Sequence, residues 1–352
     1  MNRRSLDMLK FHHECIDDNP PGALHDITLL ADLTGNGLAD IIVGGKRGPG
    51  TLFWYENPGW QRHVIADVPN LEAGGVLLDI NGNGRLDLVA GEQGANGHRL
   101  YWFEQPEDPR DPWPCRVITD AFCKYHDQAV GDVDGDGKVE LVFLSQLAGV
   151  LGYFDIPEDP RMEPWPQSCL HIIDDGLPST PGKSEREGLL VADVDGDGQV
   201  EVVAGGVCYR RNGTTWEAQP FLTDFAQTRI AAGDLDGDGK IEFVVAEGES
   251  FPARLAVCSG DGWKQVDILA GDLFNPHSLV LADFDGDGKL DIFTAEMGLG
   301  RHENPRLIIW RNCGHLKFEP VVICEGIPVH EAKVADLDGD GLPDIAGKPY
   351  SP

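Results

Sequence analysis

Basic residues are scarce in this chain of 352 residues: 28 lysines and arginines stand against 59 aspartates and glutamates, a formal net charge of −31. That balance repels polyanions, so neither nucleic acid nor an anionic membrane surface is an expected partner. Long apolar runs are missing too, since no stretch reaches the roughly 18 residues of a membrane helix. The opening MNRRSLDMLKFHHE carries basic side chains but no apolar stretch of signal-peptide length. A soluble, cytoplasmic protein is expected. The eight cysteines lack the paired spacing of a zinc site, and a chain this long builds its core without staples, so reduced thiols are expected.

Acidic, glycine-punctuated turns are abundant instead. Seven copies of one turn begin at Asp32 (DLTGNGLAD), Asp79 (DINGNGRLD), Asp132 (DVDGDGKVE), Asp193 (DVDGDGQVE), Asp234 (DLDGDGKIE), Asp283 (DFDGDGKLD) and Asp336 (DLDGDGLPD), at spacings of 47, 53, 61, 41, 49 and 53 residues. Self-similarity at this period means stacked supersecondary units. Each spacing accommodates about four short strands and their turns, the content of one propeller blade. Apolar runs on both sides of a turn, such as Leu279-Val280-Leu281-Ala282 and Ile292-Phe293-Thr294-Ala295, read as inner strands buried on both faces. A second strand pair follows at the rim. Its Trp54, Tyr55, Trp102 and Trp310 read as outer-strand core, and Pro106-Glu107-Asp108-Pro109-Arg110 and Pro157-Glu158-Asp159-Pro160-Arg161 as matching outer hairpins. The fold expected is a single all-β, seven-bladed propeller over residues 1–352. After the last turn only Ile345 to Pro352 remain, so an N-terminal strand from Leu9-Lys10-Phe11-His12-His13-Glu14-Cys15-Ile16 is expected to help close the last blade. Even so one strand is short, leaving a three-stranded blade or a chain that continues.

Carboxylates at positions one, three, five and nine of a turn suit calcium, which takes crowded oxygen ligands on a glycine-permitted backbone. The complete sets are Asp132, Asp134, Asp136 and Glu140; Asp193, Asp195, Asp197 and Glu201; Asp234, Asp236, Asp238 and Glu242; Asp283, Asp285, Asp287 and Asp291; and Asp336, Asp338, Asp340 and Asp344. The first two turns replace acids with Thr34, Asn36, Asn81 and Asn83 and are weaker candidates. Without an ion, the same aspartates can accept hydrogen bonds from turn amides.

The repeats resemble those of the FG-GAP/VCBS propellers, a group that includes integrin heads, sugar lectins and carbohydrate lyases. Within it, the repeat count, the histidines ahead of the turns and the phrase HSLVLADFDGDGKLDIFTAEMG (His277 to Gly298) are most similar to the propeller domain of aldos-2-ulose dehydratases and to seven-bladed lyases of ulvan and rhamnosyl-glucuronate linkages. The resemblance implies a carbohydrate substrate and elimination chemistry.

The polar residues locate a candidate site. Six positions before each turn stand Asp26, Ala73, His126, Glu187, Thr228, His277 and His330, a ring of equivalent positions roughly 20 Å from the turns at about 3.3 Å per residue. Calcium is therefore expected to be structural, and this ring to be the site. Thirteen positions after the turn starts, Glu92, Glu247 and Glu296 are expected at the same face, with Lys348 and Tyr350 from the last blade; neighbouring offsets add His25, Glu72, Arg186, Arg229, Glu331 and Lys333. His126, His277, His330, Glu187 and Arg229 are the catalytic candidates. His25, Glu72, Arg186, Glu296, Lys333, Lys348 and Tyr350 are the substrate-binding ones. His12, His13, His63, His98, His171, His302 and His315 fall in rim strands or loops and read as structural.

Such convergence fits β-elimination, with histidine as base and acid and cations neutralising the enolate-like charge. Three histidines with Glu187 or Glu296 also suit a divalent metal at the mouth. A glycosidase on Glu187 with Glu296 or Glu92 is the alternative enzyme. A sugar-binding or protein-binding propeller is the non-enzymatic one, although a ring that differs blade by blade favours a single site. The oligomeric state is not readable from the sequence.

Overall fold

A computed structural model describes residues 9–68, 70–179, 185–299 and 301–350. The continuous apolar runs on either side of each turn are antiparallel strand pairs with every residue of the second member buried in several repeats, as in Glu140–Ser145 and Asp291–Ala295. Burial on both faces is what unbroken apolarity encodes. Two further strands complete each unit, so the first sheet runs Ala23–Ala31, Asp40–Arg47, Leu52–Glu56 and Gln61–Ala66 in consecutive order. Six such four-stranded sheets form, and the protein is an all-β propeller.

Among the described residues, six blades are complete and the seventh is not. The seventh repeat contributes only a two-stranded sheet, His330–Ala335 with Asp344–Lys348. It is wedged between the first and sixth blades: Asn57 Nδ2 donates to the Leu337 carbonyl at 2.6 Å, and Ala332 N donates to Ser278 Oγ at 2.9 Å. Among the described residues of the N-terminal segment, 9–16 join no ladder, contrary to expectation. The segment runs instead over the outer side of this short sheet, with Leu9 against the cluster of Phe293, Ile309 and Val329 and Ile16 against that of Val43, Tyr55 and Ala346. Tyr55 anchors it through a 2.7 Å bond to Asp17 Oδ2. A segment with His12, His13 and Glu14 exposed covers an edge by side-chain packing where it has no partner for a full ladder.

The core lies between blades rather than within them. Ile27 and Trp54 of the first blade share a cluster with Leu88 and Phe103 of the second, and each later seam has its own counterpart. Trp54 and Trp102 are wholly buried and Tyr55 and Trp310 nearly so, which makes the rim aromatics core. The outer hairpins clasp the preceding blade: Arg110 Nε donates to Glu56 Oε2 at 2.9 Å, and Arg161 Nη2 to Glu104 Oε1 at 2.5 Å. No helix among the described residues is long and apolar enough to cross a membrane, and all eight cysteines are free.

Each turn is held by its own acids. In the third, Asp132 accepts Gly135 N at 2.8 Å and Gly137 N at 3.0 Å, and Asp136 Oδ1 accepts Lys138 N at 2.8 Å. Gly135 and Gly137 take φ of 75° and 86°, open to glycine without strain. The ninth-position acid, Glu140, is buried and accepts Val133 N at 2.8 Å; Glu201, Glu242, Asp291 and Asp344 repeat that bond in their turns.

Candidate active site

Strand register puts the start of each first inner strand beside the end of the second, at the face opposite the turns: His25 pairs with Gly45, Thr228 with Glu247 and His330 with Lys348. There Asp26, His126, Glu187, Thr228, His277 and His330 are all buried. His126, Glu187 and His277 come together closely enough for one nitrogen or oxygen of each to lie within 4.8 Å of the others. The His277 and His330 rings stack at 4.1 Å, tilted by 18°.

Cations bracket this pair. Arg229 Nη2 lies against both ring nitrogens of His277, 3.0 Å from Nδ1, while its Nε donates to the His277 carbonyl at 3.1 Å. On the other side Lys348 Nζ donates to the carbonyls of His25 at 2.6 Å and His330 at 2.9 Å, and lies 3.4 Å from His330 Nδ1. Burial, with Arg229 and the neighbouring His330, holds His277 well below the usual histidine value. Burial, with Lys348 and Arg229, does the same to His330. Burial also brings Lys348 down to about 7, against the carboxylates of Asp26 and Glu331. Both imidazoles are therefore neutral near pH 7.

His126 is held in the opposite state. Burial would lower its pKa, but Asp127, which bonds Nδ1 at 2.9 Å, and Glu187, 3.9 Å from Nε2, lift it to about 9. Burial and the neighbouring Glu249 raise Glu187 to about 7, with His126 and Arg229 opposing. Gln146 donates to Glu187 Oε1 at 2.7 Å, and Glu187 Oε2 is buried with no hydrogen-bond partner among the described residues.

The remaining candidates divide. Glu72 joins Asp26 on Lys46 Nζ, at 2.9 and 2.5 Å, and Tyr350 packs its ring 4.9 Å from that of His330. Lys333 pairs with Glu331 at 2.6 Å on the solvent side, with 38% of its side chain exposed. His25 turns away, its Nε2 at 2.9 Å from the Pro21 carbonyl and its ring edge-on to Phe53. Arg186 is set apart at the seam of the fourth and fifth blades.

Glu296 does not join the cluster. Its oxygens accept Phe274 N at 2.9 Å and Arg306 N at 2.8 Å, and the Arg306 guanidinium binds both. Glu247 is bound likewise by Arg254, and Glu92 by the amides of His98 and Arg99 and the Tyr101 hydroxyl. This second ring is a repeated structural clasp. Successive strand residues face opposite sides, so the axis is reached one position later, by Lys46, Gln146 and Tyr350. Tyr350 was among the expected binding residues; Lys46 and Gln146 were not, and period-two alternation was the signal for them. Asp127 and Glu249 were also missed; Asp127 follows His126 directly, and Glu249 Oε1 stands 3.8 Å from His277 Nε2.

The FG-GAP-like repeat model matches residues 32–90, 79–143, 234–294 and 283–347. The chain belongs to the FG-GAP-like repeat family. Among curated proteins this FG-GAP-like repeat chain is 23% identical over 281 residues to aldos-2-ulose dehydratase of Phanerodontia chrysosporium, covering 66% of the chain and 30% of that protein. It is 24% identical over 161 residues to cartilage acidic protein 1 of Xenopus tropicalis, covering 41% of the chain and 24% of that protein. The chain thus spans less than a third of the length of either relative. Among solved structures, a fungal lectin of Aleuria aurantia with a six-bladed β-propeller fold is similar over 88% of this chain and 99% of its own, at 13% identity and a TM-score of 0.47. A Photorhabdus luminescens Tc holotoxin pore is similar over 90% of this chain and 16% of its own, at 17% identity and a TM-score of 0.37.

Proposed function

We propose that this propeller is a carbohydrate lyase or dehydratase that performs β-elimination on a uronic-acid or keto sugar at the buried histidine cluster. The arrangement that carries the reading is a single cluster in which Asp127 bonds His126 Nδ1 while Arg229 lies against His277 and Lys348 beside His330, favouring a charged imidazole on one side and neutral ones on the other. A neutral imidazole, His277 or His330, takes the proton next to the sugar's carboxylate or ketone. The C–H electrons form the carbon–carbon double bond as the C–O bond breaks, and His126, protonated, gives its proton to the departing oxygen. Arg229 and Lys348 stand where they can neutralise the enolate-like charge. The match to a protein named a dehydratase supports the chemistry. The hydrolytic reading loses support, because Glu296 and Glu92, proposed partners of Glu187, are occupied by local amides and side chains.

Metal ions enter in two ways, the first as an alternative to the acid–base roles of His126 and His277. His126, Glu187 and His277 form a donor set for a divalent ion, with the orphaned Glu187 Oε2 free to ligate; such an ion would engage the lone pairs of both histidines, leave His330 as the base, and supply Lewis-acid polarisation of the substrate's carbonyl or carboxylate. In the turns, the carboxylates of Asp132, Asp134, Asp136 and Glu140 approach within 4.8 Å of one another, as do those of Asp193, Asp195 and Asp197, of Asp234, Asp236 and Asp238, and of Asp283, Asp285 and Asp291. These would hold structural calcium, their second lone pairs remaining after the amide bonds are made. Elimination is tested by incubating uronic-acid oligosaccharides and keto sugars with the protein and added calcium, zinc, manganese or magnesium. New ultraviolet absorbance from a conjugated double bond is expected. New reducing ends without absorbance would make the protein a glycosidase, and saturable binding without product a sugar-binding module.

A further inference from the structure

At the seam of the fourth and fifth blades lies a cavity of about 220 Å³ whose walls include Glu185, Arg186, Asp224, Phe225, Gln227 and Thr228. It adjoins the histidine cluster: Thr228 Oγ1 donates to the Glu187 carbonyl at 2.7 Å, and Gln227 Nε2 to Glu249 Oε2 at 2.6 Å. Its two carboxylates are already neutralised, Glu185 by Lys124 at 2.9 Å and Asp224 by Arg254 at 2.7 Å. Arg186 is different. Among the described residues it makes no ion pair, and its Nε is buried without a hydrogen-bond partner. The chain also makes room for it: Gly205 has φ of 59°, and a Cβ there would stand 2.4 Å from Arg186 Cδ.

We propose that this cavity is a subsite for the carboxylate-bearing ring of an acidic sugar, with Arg186 as the partner of the anion. A guanidinium presents a planar fork of donors matched to a carboxylate, and it keeps its charge at any working pH. The volume falls below the roughly 300–1,000 Å³ of most small-molecule sites, so it suits one ring rather than an oligosaccharide. With their donors engaged by Glu187 and Glu249, Thr228 Oγ1 and Gln227 Oε1 keep lone pairs that can accept from the sugar's hydroxyls. The inference rests on the proposed function only in taking the neighbouring cluster as the reaction centre, and it narrows the substrate from uronic or keto sugars to uronic ones.

Calorimetric titration with D-glucuronate, D-glucose and inorganic phosphate tests it without requiring turnover. The unaltered protein should bind glucuronate at least tenfold more tightly than glucose or phosphate; R186Q should abolish that preference and R186K retain part of it. Equal affinity for glucose or for phosphate would overturn the assignment, as would an undiminished preference in R186Q. If R186Q does not fold, phenylglyoxal labelling of the unaltered protein decides, because glucuronate should shield Arg186 and glucose should not. Labelling of Arg186 that is indifferent to glucuronate overturns the proposal. H277Q should lose elimination yet keep the glucuronate preference, so failure of the catalytic reading and failure of the subsite give different results.

Discussion

His126 and His277 occupy equivalent positions of two inner strands, yet Asp127 charges one while Arg229 keeps the other neutral. If His126 is the acid, kcat/KM should fall as pH rises through about 9, and Asp127→Asn should move that limb to lower pH by removing the carboxylate that raises His126. A pH–rate profile unchanged by this substitution would reassign the acid. Stability carries matching signs. The raised His126 contributes stability below the unfolded histidine value of about 6.5 and loses it as pH rises through its folded value, whereas the depressed His277 and His330 cost stability as pH falls below about 6.5. The members of the ring were legible in the sequence because a fixed offset from a recognisable turn is also a fixed height on the propeller. Their protonation states were not, since these depend on Arg229, Lys348 and Glu249, which come from other elements of the fold. Glu296 shows the opposite failure: recurrence at one offset in three blades marked a structural clasp to Arg306, not a site.

The turn between inner strands is the element that repeats most faithfully, and its ninth residue is where sequence and energetics meet. Glu140→Ala removes the acceptor of the buried Val133 amide and should cost about 1–3 kcal/mol; Glu140→Gln, which keeps an acceptor oxygen, should cost less. Urea denaturation in chelator measures both without any contribution from calcium. Burial and the nearby Asp134 raise Glu140 to about 7. In chelator, then, this group's contribution is present below its unfolded value of about 4.3 and is lost as pH rises through 7. Calcium should reverse that loss, so the gain in melting temperature on adding calcium should be larger at pH 7.5 than at pH 5, and a gain independent of pH would speak against ligation by these acids. Blade boundaries were readable because apolar runs flank every turn. The fate of the ends was not. Leu9 to Ile16 alternate too weakly to specify a ladder, and side-chain packing against Phe293 and Tyr55 replaced strand pairing.

At the scale of the whole molecule, seams between blades carry the core, so anything that holds the inner turns in place holds the ring together. If calcium binds only the folded chain, each site at 100 times its dissociation constant adds about 2.7 kcal/mol. Exhaustive chelation should therefore lower the melting temperature markedly; unchanged melting, with no calcium found by elemental analysis, would leave the amide-bonded turn as the whole explanation. The opposite face carries the proposed site, where Lys333 and Glu249, each with more than a third of its side chain exposed, would put charge in the path of a substrate approaching the buried histidines. The most direct test is the initial rate of absorbance growth on an unsaturated product, measured for the unaltered protein, for His126→Ala, His277→Ala and His330→Ala, and for the rim control His63→Ala. The expected result is a loss of roughly a hundredfold or more in each of the three ring variants, with folding intact and the control unaffected. Full activity in all three would contradict the placement of the active site at this cluster.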